Sequence, residues 1–104
     1  MLTVLVSEVT EAARNSYSTG DLLRIIGRRG MTDILYCLES EPKRFSQIMF
    51  ETRLNPSILD RHLKVLIKLG LVVKEDNLYR LTESGTKVIE SIEELTHVFR
   101  KVEE

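Results

Sequence analysis

The chain has 104 residues, short of the roughly 150 that serve as a soft measure of one domain, so two independent cores are excluded. Apolar residues make up 42% and charged residues 30%, which fits neither a disordered tail nor a membrane protein. The longest uncharged stretch, residues 1–7, falls far below the ~18 apolar residues of a spanning helix. No basic segment leads into an apolar one at the start, so the expected compartment is the cytoplasm, with no membrane partner. A single cysteine, Cys37, makes no intrachain disulfide and is by default a small buried hydrophobe. The net charge of −1 taken whole argues against a nucleic-acid binder.

Residues 2–16 place Leu2, Leu5, Val6, Val9, Ala12 and Ala13 at helical spacing, which predicts a first amphipathic helix. Residues 17–20 carry turn chemistry, and Asp21 is the expected cap of a short helix through Leu22, Leu23, Ile25 and Ile26. Gly27-Arg28-Arg29-Gly30 interrupts it. Ile34, Leu35 and Leu38 form the stripe of a third helix over residues 31–40, ended by Glu41-Pro42 because the residue before proline disfavours the α region.

After an extended Lys43-Arg44-Phe45, Ser46 reads as the N-cap of a two-turn helix. Leu54-Asn55-Pro56 is a turn in which Asn55 caps the next helix and Pro56 takes its first position. That helix runs to Leu69, buries Leu59, Leu63, Leu66 and Ile67, and stops at Gly70. Residues 71–74 and 78–81 are β-prone tetrads joined by Glu75-Asp76-Asn77, a hairpin with a three-residue connection. Thr82 then caps a final helix in which Leu81, Gly85, Val88, Ile92, Leu95, Phe99 and Val102 alternate at spacings of four and three, the seam of helices that pair.

Two short helices, a tight turn and a hairpin in this order form a winged helix-turn-helix. The expected fold class is mainly α with a small β-hairpin wing (α+β). One domain covers residues 1–104, with 46–69 the helix-turn-helix, 71–81 the wing, and 1–16 and 83–104 dimerisation helices. The residues from Arg61 to Val72, RHLKVLIKLGLV, resemble the recognition helix and first wing strand of ArsR-type regulators. Pro42-Lys43-Arg44-Phe45-Ser46-Gln47-Ile48 resembles HxlR-type regulators, and Tyr79-Arg80-Leu81-Thr82-Glu83-Ser84-Gly85 is similar to the strand-to-helix junction of the MarR and HxlR types. The likeness covers residues 26–86 and implies a prokaryotic transcription regulator. The metal sensing of ArsR proteins does not carry over, since Cys37, His62 and His97 are too few and too scattered for a tetrahedral site. The HxlR pattern has a tryptophan near the start of the third helix and a longer wing, neither of which this chain has.

The charge distribution bears on the same reading. Residues 1–42 carry −2, residues 43–74 carry +5 and residues 75–104 carry −4. The helix-turn-helix is a basic island, of the kind duplex DNA attracts through its phosphates. Ser57, Arg61 and Lys64 lie three and four apart, opposite the leucine stripe, and are the expected base-edge or phosphate contacts. Arg61 heads them because a guanidinium fork bonds bidentately to guanine O6 and N7. Ser46 and Asn55, at helix N-termini, are expected to bond phosphates together with neighbouring amides. Lys43, Arg44, Arg53, Lys68, Lys74 and Arg80 are expected backbone contacts, with Asn77 the one plausible probe on an acidic wing tip. His62, beside the leucine stripe, reads as a packing or hydrogen-bonding residue.

Pairing of the end helices through Leu2, Leu5, Val9, Val88, Ile92, Leu95, Phe99 and Val102 predicts a homodimer, because so short a chain does not readily bury both stripes. The expected function is thus a homodimeric, sequence-specific double-stranded DNA-binding regulator with residues 56–69 in the major groove. The alternative is a winged-helix module that assembles with protein partners and touches no nucleic acid. No Ser/His/Asp arrangement, Gly-rich phosphate loop or metal-ligand cluster is present in the sequence, so neither an enzyme nor a cofactor is expected, and no pattern selects an effector ligand.

Overall fold

The computed structural model describes residues 17–103, and side chains through residue 101. The predicted helix over residues 2–16 lies outside the described residues, as do Leu2, Leu5 and Val9 and the side chain of Val102.

The first described helix, α1 (Thr19–Ile26), begins three residues earlier than Asp21 capping would allow. The Ser18 hydroxyl accepts from the Asp21 amide at 3.1 Å while the Asp21 carboxylate accepts from the Ser18 amide at 3.3 Å. This reciprocal box makes Ser18 the cap and Asp21 the third helical residue. Helix α2 (Met31–Glu39) buries Met31, Ile34, Leu35 and Leu38. Its N-cap is Gly30 at φ +89°, a conformation that disfavours any residue with a Cβ.

Helix α3 (Phe45–Thr52) is capped by Arg44, so Ser46 is not its N-cap but its second helical residue. The reason is Gln47, whose Oε1 reaches back to accept from the Arg44 amide at 2.9 Å. A sharp turn with Arg53 at φ +60° leads into α4 (Pro56–Lys68). Asn55 Oδ1 accepts from the Ser57 amide at 2.8 Å and Pro56 opens the helix, as the sequence predicts. The buried stripe of α4 is Leu59, His62, Leu63 and Leu66. Ile67 is not part of it: one residue past Leu66 it has turned about 100° and is 39% exposed, and Leu69 closes the stripe in its place. Gly70, at φ +77°, ends the helix.

Strands β1 (Val72–Glu75) and β2 (Leu78–Leu81) pair antiparallel with Val72 opposite Leu81 and Glu75 opposite Leu78. The connection is therefore two residues, not three. Asp76 and Asn77 both have positive φ, 50° and 65°, the turn whose twist matches that of a hairpin. Lys43 adds an isolated antiparallel bridge to β2 by exchanging backbone hydrogen bonds with Tyr79, at 3.0 and 2.8 Å.

Helix α5 (Glu83–Glu103) starts where Thr82 Oγ1 accepts from the Gly85 amide at 3.1 Å and donates to the Gly70 carbonyl at 2.6 Å. The heptad reading places Gly85 on an intermolecular seam, yet Gly85 is buried inside the protomer, against Leu71 and Leu81. Ile89, which that seam omits, is fully buried, with Val88 and Ile92 partly so. One apolar cluster unites all these elements, from Ile25 on α1 through Leu35, Ile48, Leu63 and Tyr79 to Ile89.

Candidate nucleic-acid interface

The leucine stripe fixes α4 against the core, and the opposite side faces solvent. Ser57, Arg61, Lys64 and Lys68 are all exposed there. Lys64 Nζ lies 2.9 Å from Asp60 Oδ2 one turn back, and this hydrogen bond raises its pKa, with the charge of Asp60 adding to the effect. Such an exposed pair is easily exchanged for another anion.

Lys43 departs most from the sequence reading. Its residue is 9% exposed, and its ammonium bonds Glu51 at 2.8 Å, with Cys37 Sγ 3.8 Å away. The correction has a simple cause: backbone pairing with Tyr79 turns the Lys43 side chain toward α2 and α3, where Glu51 meets it. This ammonium is not presented to a phosphate. Arg80, next to it in the sheet, is exposed but paired with Glu75 across the hairpin. Lys74 Nζ stands 5.4 Å from the Tyr79 ring centroid, a cation–π distance.

The two carboxylates of residues 43–74, Glu51 and Asp60, are thus each bound to a lysine. The +5 of that segment resides physically on Arg44, Arg53, Arg61, Lys68 and Lys74, all exposed and without an ion pair among the described residues. Arg44 caps α3 and Arg53 sits in the turn between α3 and α4, so three guanidiniums ride on the helix-turn-helix itself. Ser46 lies exposed in the first turn of α3, and Asn55 is exposed at the start of α4 with its carbonyl oxygen already used as a cap. Only its amide group remains to donate. Asn77 is exposed at the wing tip.

Sequence periodicity marks His62 as a packing residue, and it is 7% exposed. Periodicity does not reveal its partner: His62 Nε2 lies 3.0 Å from the Arg29 carbonyl oxygen, 33 residues away, while Nδ1 is buried without a partner among the described residues. The bond ties the turn at residues 27–30, with Arg28 and Arg29 exposed, to α4. A Gly-Arg-Arg-Gly run between two helices is its sole sequence trace.

Away from the basic surface, α1 and α5 enclose an open apolar groove of about 440 Å³, lined by Leu22, Leu23, Ile26, Leu71, Val88 and Ile92 among others. Leu95, which also lines the groove, stands exposed at 54%, as do Val98 and Phe99 of α5, Phe99 at 62%. Among the described residues no three His, Cys, Asp or Glu converge to hold a metal, and no helix is long and apolar enough to cross a membrane.

Comparison with known proteins agrees with this architecture. The bacterial regulatory protein arsR family matches residues 29–74, from the turn before α2 to β1. The quinone-bound YodB of B. subtilis superposes with a TM-score of 0.71 at 26% identity, over 77% of this chain and 92% of that one. A possible HxlR family transcriptional factor from Thermoplasma volcanium GSS1 gives a TM-score of 0.65 at 28% identity, covering 85% of this chain and 84% of its own. A MarR family transcriptional regulator from Silicibacter pomeroyi DSS shares the fold, with a TM-score of 0.63 at 18% identity, over 96% of this chain and 70% of that one. No curated protein matches the chain in sequence. The chain is a winged helix-turn-helix protein resembling the transcriptional regulators of the ArsR, HxlR and MarR types.

Proposed function

We propose that the chain is a homodimeric, sequence-specific regulator of transcription that binds double-stranded DNA with α4 in the major groove. The observation that carries this reading is the set of five cations without an ion pair among the described residues, Arg44, Arg53, Arg61, Lys68 and Lys74, borne by the helix-turn-helix and the first wing strand. In this role Arg61 reads a base edge, with Ser57 and Lys64 beside it. Arg44, Arg53, Lys68 and Lys74 hold phosphates. Arg80, Asn77, Asn55 and Ser46 contribute at the margins, and Lys43 supports the wing from inside. Regulation follows from occupying promoter DNA, with no chemistry and no cofactor.

The dimer rests on the exposed Leu95, Val98 and Phe99, which the protomer's own core leaves in solvent. Twofold pairing presents two copies of α4 to half-sites about one helical turn, ~34 Å, apart or a multiple of it.

Anisotropy titration of a random-sequence duplex and of a duplex selected from a random pool tests the reading. The expected result is an affinity that falls steeply between 50 and 200 mM salt, about 10³-fold for six contacts, with tighter binding to the selected sequence. A dimer that shows no salt-dependent affinity for either duplex would overturn it and leave assembly with protein partners as the function.

A further inference from the structure

We propose that the turn at residues 27–30 is a second phosphate-contacting element, carrying Arg28 and Arg29, and that His62 is the positioning residue that holds it against α4. The proposal rests on the DNA-binding reading and extends its surface beyond the helix-turn-helix.

Three contacts fix where this turn sits. Its backbone is closed on itself, Arg28 N donating to the Ile25 carbonyl at 3.2 Å and the Arg28 carbonyl accepting from Met31 N at 3.1 Å. Gly30, at φ +89°, lies so near the helix-turn-helix that a Cβ there would come within 2.6 Å of Leu54 Cδ2. The third is the 3.0 Å bond from His62 Nε2 to the Arg29 carbonyl. Leu54 is flanked by Arg53 and Asn55, and His62 follows Arg61. The turn therefore packs on the two stretches of chain that carry the proposed phosphate and base contacts. Both of its guanidiniums are exposed and neither is in an ion pair among the described residues.

The chemistry of His62 points the same way. Stability alone favours an apolar side chain at so buried a position, because the imidazole leaves Nδ1 without a partner there. The one side-chain bond it makes among the described residues runs to the Arg29 backbone, and a leucine could not make it. With Nε2 donating, the ring fixes a carbonyl whose own residue projects a cation outward. A rigid mount is what a phosphate clamp needs, since less side-chain and loop entropy is lost on binding.

The test is a salt titration of DNA binding by the full chain and by R28Q/R29Q, H62L, H62Q and the combined R28Q/R29Q/H62L variant. The double arginine variant is expected to bind about 10-fold or more weakly, and to lose about 1.8 per protomer from the slope of log affinity against log salt, two contacts at about 0.9 each. H62L is expected to lose part of the same slope, H62Q to recover it through its amide donor, and H62L to cost nothing further once both arginines are gone. A wild-type slope in R28Q/R29Q, with the wild type binding DNA, overturns the proposal and leaves the DNA-binding reading standing. A wild type without salt-dependent affinity overturns both. If H62L adds its full cost in the absence of the arginines, His62 acts through helix packing and the positioning role is refuted. Should H62L fail to fold, R28Q/R29Q alone decides the contact.

Discussion

Lys43 illustrates how the same residue type serves opposite ends within one segment. Its ammonium is pulled inward by Glu51, and the hydrogen bond to that carboxylate raises its pKa against the opposing effect of burial. A raised value means that the folded chain holds the proton more tightly. The stability it contributes is whole below the ordinary lysine value of 10.5 and is lost as pH rises through the higher folded value. Lys43→Met is therefore expected to lower stability by about 1 kcal/mol, a partly exposed ion pair with its packed stem, by an amount constant from pH 7 to 9. Thermal melts across pH check this, and a difference that grows toward high pH would refute it. The salt slope of DNA binding should not change in this variant. Arg61 is the contrasting case: Arg61→Ala should cost about 1 to 3 kcal/mol of specific binding and relax preference at one base pair, with stability within about 0.5 kcal/mol of wild type. Competition between single-base operator variants reads that loss. Cys37, beside Lys43, is half-buried, and burial pushes its thiol up despite the lysine's opposing charge. A thiol held protonated is a poor nucleophile. Alkylation of the folded protein at pH 7 should proceed more slowly than that of a free cysteine, and faster labelling would contradict the geometry.

At the scale of elements, sequence patterning predicts every described helix and the hairpin, but misplaces ends where a side chain several residues on decides the cap. Ser18 and Arg44 cap their helices because Asp21 and Gln47 reach back to them. Neither effect registers in hydrophobic periodicity. The wing is tighter than its composition suggests because two consecutive residues accept positive φ, which Asp and Asn tolerate better than most. The junction between wing and α5 is the least forgiving point. Thr82 binds both Gly70 and Gly85, and a Cβ at Gly85 would collide with the Leu71 carbonyl oxygen. That oxygen is already held by the Thr82 amide and cannot easily move away. Gly85→Ala is accordingly expected to destabilise by about 1 to 3 kcal/mol, as overpacking does, despite alanine's better helix propensity. Urea unfolding measures it, and a neutral or stabilising result would show that the helix start can shift.

For the whole molecule, the segmental charges of −2, +5 and −4 separate a basic head, the helix-turn-helix, from an acidic distal helix. The head is built by one core, while α5 extends past its last buried residue, Ile89, with a half-buried Ile92 and then exposed Leu95, Val98 and Phe99. Substituting L95E and F99E together should leave the melting temperature of the protomer nearly unchanged, since both side chains are exposed in it, and should convert a dimer to a monomer. Light scattering reads the mass. A monomeric wild type, or a variant that stays dimeric, would refute pairing through this helix. Loss of the dimer should also weaken binding to a two-half-site duplex more than to one half-site, because the second contact is no longer tethered.

The sequence by itself determined the order of elements, the leucine stripe of α4, the Asn55-Pro56 start and Gly70 stop, and the basic character of the middle segment. These are local properties, set by periodicity, capping chemistry and charge counts within a few residues. Only the tertiary structure decided which cations remain available: Lys43 is withdrawn because a backbone bridge to Tyr79, 36 residues on, turns it toward Glu51. It also decided that Arg28 and Arg29 stand beside α4, through a histidine bond spanning 33 residues, and that Gly85 and Ile89 belong to the protomer's core and not to a seam. Each of these depends on where distant segments meet, and hydrophobic spacing carries no information about which polar groups will face one another once the core has closed.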